Sequence, residues 1–370
     1  MLLPFFARPL WPDAPCIDCP SHYGRHKAGG YLGRHKAGDY LAAPWTPSTR
    51  PRKLKAPEKS PRHRPNGCHP HFNVSDATPA HIPVLLDEIV AWLAPRPGAV
   101  LVDGTLGGGG HTRILAERAR PDGRVIALDR DPAAVAAAEL ALIGLPVTLA
   151  VANYAELPEV LEQLGIAAVD GILLDLGLSS DQLADANRGF SFRAAGPLDL
   201  RFNPLEGDPA SRLVNRLSAE HLADLIFHYG EERYSRRIAR TIVETRRRQP
   251  IETAEELAEV VRRSVPRPPR GERIDPATRT FQALRIAVND ELKWLEMALR
   301  RLPGVLKPGG RIAVISFHSL EDRRVKEAFR DDPRLTALTR KPLRPGEAES
   351  ERNPRSRSAK LRVAERRADA

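Results

Sequence analysis

The sequence predicts an α/β fold, a doubly wound parallel sheet of the nucleotide-binding kind, and three observations predict it. An apolar run, Ala99 to Val102, breaks into Asp103-Gly104-Thr105-Leu106-Gly107-Gly108-Gly109-Gly110-His111, after which Ile114, Leu115 and Ala119 recur at helical spacing. A second apolar run, Arg124 to Leu128, ends in Asp129 about twenty residues beyond the loop, the offset at which a carboxylate meets ribose hydroxyls. A later run, Val169 to Asp175, reads as a buried parallel strand and ends in a second carboxylate, at the sheet edge where ligands bind.

The four consecutive glycines can take positive φ and present bare N–H groups beside a helix N-terminus. A dinucleotide fold requires G-x-G-x-x-G, and here the third position falls on Thr112 or on Arg113, so a nicotinamide or flavin dinucleotide is disfavoured. Asp129 alone reads as an ordinary strand-end carboxylate; in series with the glycine loop the ribose-binding reading prevails. The combination suits S-adenosylmethionine, which carries an adenosyl ribose and no pyrophosphate.

At 370 residues and 42% hydrophobic content the chain has room for one large or two modest domains. Its 57 Lys+Arg against 47 Asp+Glu leave a net charge of +10, which suits a polyanion, with nucleic acid the leading candidate. Residues 1–79 are rich in Pro, Arg, His and Gly, lack an amphipathic period and are expected to be a disordered basic extension. Their tandem Gly24–Gly29 and Gly33–Gly38 repeats are too short to bury a core. Cys16, Cys19 and Cys68 are the only cysteines and lack the paired spacing of a Cys/His site, so no metal is expected. No apolar run reaches the length of a membrane span, and Met1 to Phe6 is too short for a signal peptide, so a cytoplasmic protein without a membrane partner is expected.

In chain order, Leu85, Ile89, Trp92 and Leu93 share one face of a helix ended by Pro95. A third strand, Val147 to Val151, leads to Tyr154, whose ring suits either an adenine face or the core. After Asp175 the α/β rhythm stops: Ala219 to Phe227, Ile238 to Ile242 and Ala254 to Val261 have helical periodicity, so residues 185–288 are expected to form an inserted helical domain. Its arginines between Arg233 and Arg248 suit either a phosphate-binding face or a solvated helix surface. Phe190 and Phe192 are candidates to stack on a flipped base, and Arg279, Gln282 and Arg285 to contact RNA. An amphipathic helix from Asp290 to Leu302 and a strand from Arg311 to Ser316 resume the sheet, with His318 and Glu321 just past its end. The core is thus expected in two parts, 80–184 and 289–370.

Several long segments carry a family resemblance: His81 to Leu86, Asp103 to His111, Asp129 to Pro132, Asp175 to Leu183, Arg188 to Phe192, Tyr229 to Arg233, Thr278 to Arg285, Ser316 to Asp322 and Ser358 to Arg362. In this order they closely resemble the bacterial 16S rRNA cytosine-N4 methyltransferases, the ribosomal RNA small subunit methyltransferase H or MraW family. The resemblance spans 81–368 and implies a class I S-adenosylmethionine-dependent methyltransferase with a Rossmann-like sheet, acting on a cytosine of the decoding region of 16S rRNA within the small ribosomal subunit. It implies S-adenosylmethionine as cofactor, contacted by Gly109, Gly110, His111, Asp129, Tyr154, Asp175 and Gln182, with Tyr154 standing where the family often has Phe. For the basic tail, Arg355 to Val363, it favours a closing edge strand over an RNA-contacting segment. A homodimer is left open.

Asp175 is the expected catalytic residue, polarising the target amine as the Asn/Asp-Pro-Pro-Tyr motif does in amino-methyltransferases of DNA, although Leu176 and Gly177 replace the prolines here. No cysteine lies in the core to attack a base carbon, so the acceptor is an exocyclic nitrogen or a ribose oxygen. The alternatives are a methyltransferase of another nucleic acid or a small molecule, and a non-catalytic RNA-binding factor of ribosome assembly.

Overall fold

The structure is a computed structural model that describes residues 83–192, 196–266 and 275–368. The extension 1–79, with its repeats and cysteines, and the opening His81-Ile82 of the first motif lie outside the described residues.

The apolar runs form strands β1 (Val100–Asp103), β2 (Arg124–Asp129), β3 (Val147–Val151), β4 (Val169–Asp175), β5 (Leu306–Ser316), β6 (Leu335–Ala337) and β7 (Lys360–Arg366). They form one sheet in the order β3-β2-β1-β4-β5-β7-β6. Strands β1 to β5 pair in parallel, and β7 runs antiparallel between β5 and β6. This is the class I methyltransferase order, and its switch point between β1 and β4 sends the following loops apart and opens a crevice.

Alternation along the strands fills a core on each side of the sheet. Val102, Ile172 and Leu174 face one side, with Leu295, Leu299 and Val325 packed over them. Leu101, Leu173 and Ile315 face the other, covered by Leu85, Ile89 and Leu115. The covering helices include α1 (Leu86–Leu93), α2 (Gly110–Ala119), α3 (Pro132–Ala141) and α4 (Leu157–Gln163), with the later helices that carry Leu295, Leu299 and Val325. Helix α3 starts where it does because Asp131 accepts a hydrogen bond from Ala133 N and Pro132 supplies a helical φ at the first position.

Between β4 and β5 lie α5 (Ser180–Ala184), α6 (Ala210–Arg216), α7 (Ala219–Gly230), α8 (Ser235–Arg246), α9 (Ala254–Ser264), α10 (Thr278–Asn289) and α11 (Glu291–Arg301). The helices expected from Ala219, Ile238 and Ala254 are all present and longer than their apolar signatures. A hydrophobic cluster separate from the sheet's two cores, including Ile226, Ile238, Leu257 and Leu284, holds this lobe together. Thr253 and Glu256 close a capping box at the start of α9.

Helices α12 (Ser319–Asp331) and α13 (Glu347–Arg352) complete the chain. Two expectations are corrected here. Strand β5 begins at Leu306, five residues before the expected Arg311, because Lys307 to Gly310 is absorbed as an irregularity opposite Val169 and Gly171. The tail strand β7 is not an edge: the short β6 pairs along its outer side.

Candidate active site

The loops after β1, β2 and β4 enclose a cavity of about 390 Å³, within the usual size of a small-ligand cleft. Gly107, Gly108 and Gly110 form part of its wall, and Leu106 N donates to Leu128 O to hold the loop against the end of β2. Gly109 itself is the residue before α2, with φ 76°, a conformation that costs any other residue about 1–2 kcal/mol. Its two glycine neighbours line the cavity in its place.

Asp129, at the end of β2, accepts from Gly107 N at 2.9 Å on one carboxylate oxygen and from Asp131 N at 2.9 Å on the other. Burial, with Asp131 and Asp103 nearby, pushes its carboxyl up to about 6 even though these two N–H groups pull the other way. It is therefore a fixed acceptor with lone pairs to spare for a diol. Asp131 lies behind it and accepts from Gln182 Nε2 at 3.2 Å and Arg188 Nη1 at 2.8 Å. Arg188 in turn donates to Arg201 O and Phe202 O, tying the cofactor-side loop to the lobe.

Asp175 ends β4 on the opposite wall. Its backbone N–H donates to Thr105 Oγ1 at 2.6 Å, and Thr105 is itself held by Asp103, through its N–H at 3.1 Å and its hydroxyl at 3.4 Å. Asp103 is buried and also accepts from Thr112 Oγ1 at 2.7 Å. Asp175 Oδ1 is buried with no hydrogen-bond partner, while Oδ2 lies 3.7 Å from His111 Nδ1. Burial, followed by the charges of Asp103 and Glu321, raises the Asp175 carboxyl well above the ordinary range. An orphaned carboxylate oxygen costs about 1–3 kcal/mol unless a donor arrives, which is what a target amine brings.

His111 sits in the first turn of α2 with its ring buried and Nε2 at 3.0 Å from Val84 O. Its ring reaches toward Asp175, and the residue lines the cavity. Tyr154 packs as an apolar wall: burial, then Glu291 and Glu321, raise its phenol far above the ordinary value, so it stays neutral. Gln182 lines the cavity, but its amide is committed to Asp131 and to the Ser179 N–H of the α5 capping box, which leaves a supporting part in the wall.

Behind Tyr154 a polar cluster closes the floor. Arg285 grips Glu291 at 2.7 and 2.9 Å, and Glu321 accepts from Phe317 N at 2.8 Å while lying 3.0 Å from His318 Nε2. Glu291, His318 and Glu321 bring ligand-type atoms within 4.8 Å of one another, but Arg285 fills the place a cation would take beside Glu291. Burial would raise the Glu321 carboxyl, yet His318, Arg285 and the Phe317 N–H outweigh it and hold it below the ordinary value.

The lobe residues expected at the substrate are rearranged. Phe190 is buried in the lobe core and Phe192 packs on Phe281 and under Arg262, whereas Phe202 lines the cavity. Gln282 donates to Tyr229 O, Arg279 to Glu231 O, and Arg285 is consumed by Glu291. At the mouth the structure adds Arg352, Asn353 and Arg355, with Arg355 hydrogen-bonded to Ser180 Oγ. Only the Arg/Ser-rich composition of residues 352–358 signalled them.

The glycine wall, the half-buried diol acceptor Asp129 and the unpartnered Asp175 oxygen together fit an adenosyl ligand that carries a reactive group toward Asp175. The model of the MraW methylase family matches residues 78–367. A protein of Magnetococcus marinus named "Ribosomal RNA small subunit methyltransferase H" is 53% identical over 77% of this chain and 98% of its own length. One of the same name in Geobacter sulfurreducens is 50% identical over 78% of this chain and 99% of its own. A solved structure of a putative rRNA-methylase from Clostridium thermocellum aligns at 16% identity and a TM-score of 0.37 over 76% of this chain and 94% of its own, a distant likeness on which nothing below rests. With nearly three hundred consecutive residues matched and the site intact within them, this chain belongs to the MraW methylase family.

Proposed function

We propose that this protein transfers the methyl group of S-adenosylmethionine to the exocyclic N4 of a cytosine in 16S rRNA, within the small ribosomal subunit. The observation that carries the reading is that Asp175, Asp129 and the glycine loop open on one cavity. S-adenosylmethionine, when bound, supplies a methyl group activated by positively charged sulfur. Asp129 accepts hydrogen bonds from the ribose, held in place by the Gly107 and Asp131 N–H groups. Tyr154 offers a flat apolar wall to the adenine.

A cytosine amine is a poor nucleophile because its lone pair is delocalised into the ring. Asp175 offsets this by accepting an N–H hydrogen bond, which fixes the amine in line with the methyl group and stabilises the charge that develops on nitrogen. Thr105 keeps Asp175 in register by accepting its backbone N–H. The Asp175 carboxylate then takes the departing proton.

Residues 185–288 serve as the substrate-recognition lobe on a core formed by 80–184 and 289–370. Arg233, Arg236, Arg237 and Arg240 are exposed on or beside α8 and suit RNA phosphates. Arg352 and Arg355 offer further cations at the cavity mouth. No described helix is long and apolar enough to cross a membrane, and action in the cytoplasm is part of the proposal. The test is mass spectrometry of 16S rRNA nucleosides from cells lacking the protein: one N4-methylcytidine disappears and returns on complementation. An unchanged nucleoside profile contradicts the proposal.

A further inference from the structure

Asp175 is placed to receive a proton, yet its surroundings disfavour the form that can do so. It is partly buried at the end of β4, with Oδ1 wholly enclosed, and feels the charges of Asp103 from β1 and Glu321 from α12, two carboxylates, with the neutral Tyr154 on the cavity wall. Like charges close by favour a protonated acid, and a protonated Asp175 is a weaker acceptor for the amine and cannot take its proton. The group that answers them is His111 on α2.

The His111 ring is fixed at both nitrogens. Nε2 lies 3.0 Å from Val84 O, and a carbonyl only accepts, so Nε2 carries a hydrogen. Nδ1 lies 3.7 Å from Asp175 Oδ2. A lone pair on Nδ1 facing a charged carboxylate oxygen would be repulsive, so one proton belongs between these two atoms. The clamp is itself supported: Leu85 N, next to Val84, donates to Glu349 of α13 at 2.8 Å, and Pro83 lies against Gly110, where an added Cβ would come within 2.5 Å of its ring.

We propose that His111 is a positioning residue for methyl transfer: its Nδ1 holds the proton that would otherwise sit on Asp175, so that Asp175 meets the target amine as a carboxylate. This rests on the N4-methylation reading. In the step, the amine nitrogen forms a bond to the methyl carbon while the carbon–sulfur bond breaks and its electron pair goes to sulfur. The nitrogen, now positive, gives one N–H proton to Asp175, and water takes that proton when the product leaves. His111 keeps its own proton throughout. The 3.7 Å separation is within ion-pair range for a charged imidazole, and bound substrate is expected to shorten it to a hydrogen bond.

The test compares wild type, His111→Phe and His111→Gln in single-turnover methylation of 16S rRNA, from about pH 6 to about pH 9, with the affinity for S-adenosylhomocysteine measured on each variant. Loss of the cationic neighbour moves the acidic limb of the rate profile up by roughly one pH unit or more, a tenfold or greater loss near neutrality that recovers in alkali. His111 also lines the cofactor cavity, so the affinity of each variant is used to work at saturating cofactor, and the position of the limb carries the test. A limb that stays in place in a folded variant that still binds the cofactor product overturns the proposal. Nitrogen NMR of the wild-type imidazoles gives an answer even where both variants misfold: His111 is doubly protonated at neutral pH, and a bare Nδ1 overturns the assignment. Wild-type protein that methylates no cytosine in 16S rRNA would instead overturn the functional reading itself.

Discussion

Replacing Asp129 by Asn tests the cofactor wall most sharply, because charge and shape separate there. The side chain keeps its size and one acceptor oxygen, but the carboxylate that takes Gly107 N and Asp131 N at 2.9 Å each loses its charge. Hydrogen bonds to a charged acceptor contribute about 1.5–3 kcal/mol, so the affinity for S-adenosylhomocysteine falls roughly 10- to 150-fold. The pH dependence follows from a carboxyl at about 6. If the ionised form binds the ribose, its population drops from about 0.9 at pH 7 to about 0.1 at pH 5, and wild-type affinity weakens about tenfold across that interval. Folding responds with the opposite sign. A carboxyl raised in the folded state from 3.8 to about 6 costs the ligand-free protein about 3 kcal/mol above pH 6, a cost relieved as pH falls toward 4. Calorimetric titration of both proteins from pH 5 to 8, an interval spanning about one unit or more on either side of that value, separates the cases, with Asp129→Asn as the control for titration of the ligand itself. Equal affinities of the two proteins at pH 7, or a wild-type affinity with the same pH dependence as the variant, would refute the role given to Asp129.

Thr105→Val leaves the Asp175 backbone N–H without its acceptor, a loss of about 1–3 kcal/mol that loosens the catalytic carboxylate. The methylation rate falls about tenfold or more with cofactor affinity nearly unchanged, and Thr105→Ser recovers most of it. Arg188→Ala strands Asp131 without its buried cation, which costs about 3–5 kcal/mol and lowers the melting temperature by roughly 6–20 °C in a thermal melt. For the cavity mouth, the double variant Arg352→Ala/Arg355→Ala raises KM for RNA without weakening S-adenosylhomocysteine binding, and it reduces the salt slope of RNA binding by about 1 per lost phosphate contact. Filter binding at several salt concentrations checks this; an unchanged slope places the RNA elsewhere.

The sheet was legible because its central strands are buried on both faces, so Gly171 to Leu174 carries no polar side chain, and because the offsets from the glycine loop to Asp129 follow from strand and helix lengths. Contacts that join distant segments left no such mark. Thr105 meets Asp175 across 70 residues and Arg188 meets Asp131 across 57, and neither threonine nor arginine at those positions departs from ordinary loop composition. Phe190, Phe192 and Phe202 shared the same aromatic signal, and only packing decided that the first two fill the lobe while the third lines the cavity. Arg285 had the spacing of a surface cation and was consumed by Glu291, six residues on, once the chain turned between α10 and α11. Sequence pattern reports the period of an element and which face is apolar; it is silent on which polar group finds which partner.

Transfer of tritium from methyl-labelled S-adenosylmethionine to small-subunit rRNA, followed by nucleoside analysis and run in parallel for wild type and Asp175→Asn, tests the central claim most directly. Wild type places the label in N4-methylcytidine, and Asp175→Asn, while still binding S-adenosylhomocysteine, places almost none. Label in another nucleoside, or undiminished transfer by Asp175→Asn, would contradict the account.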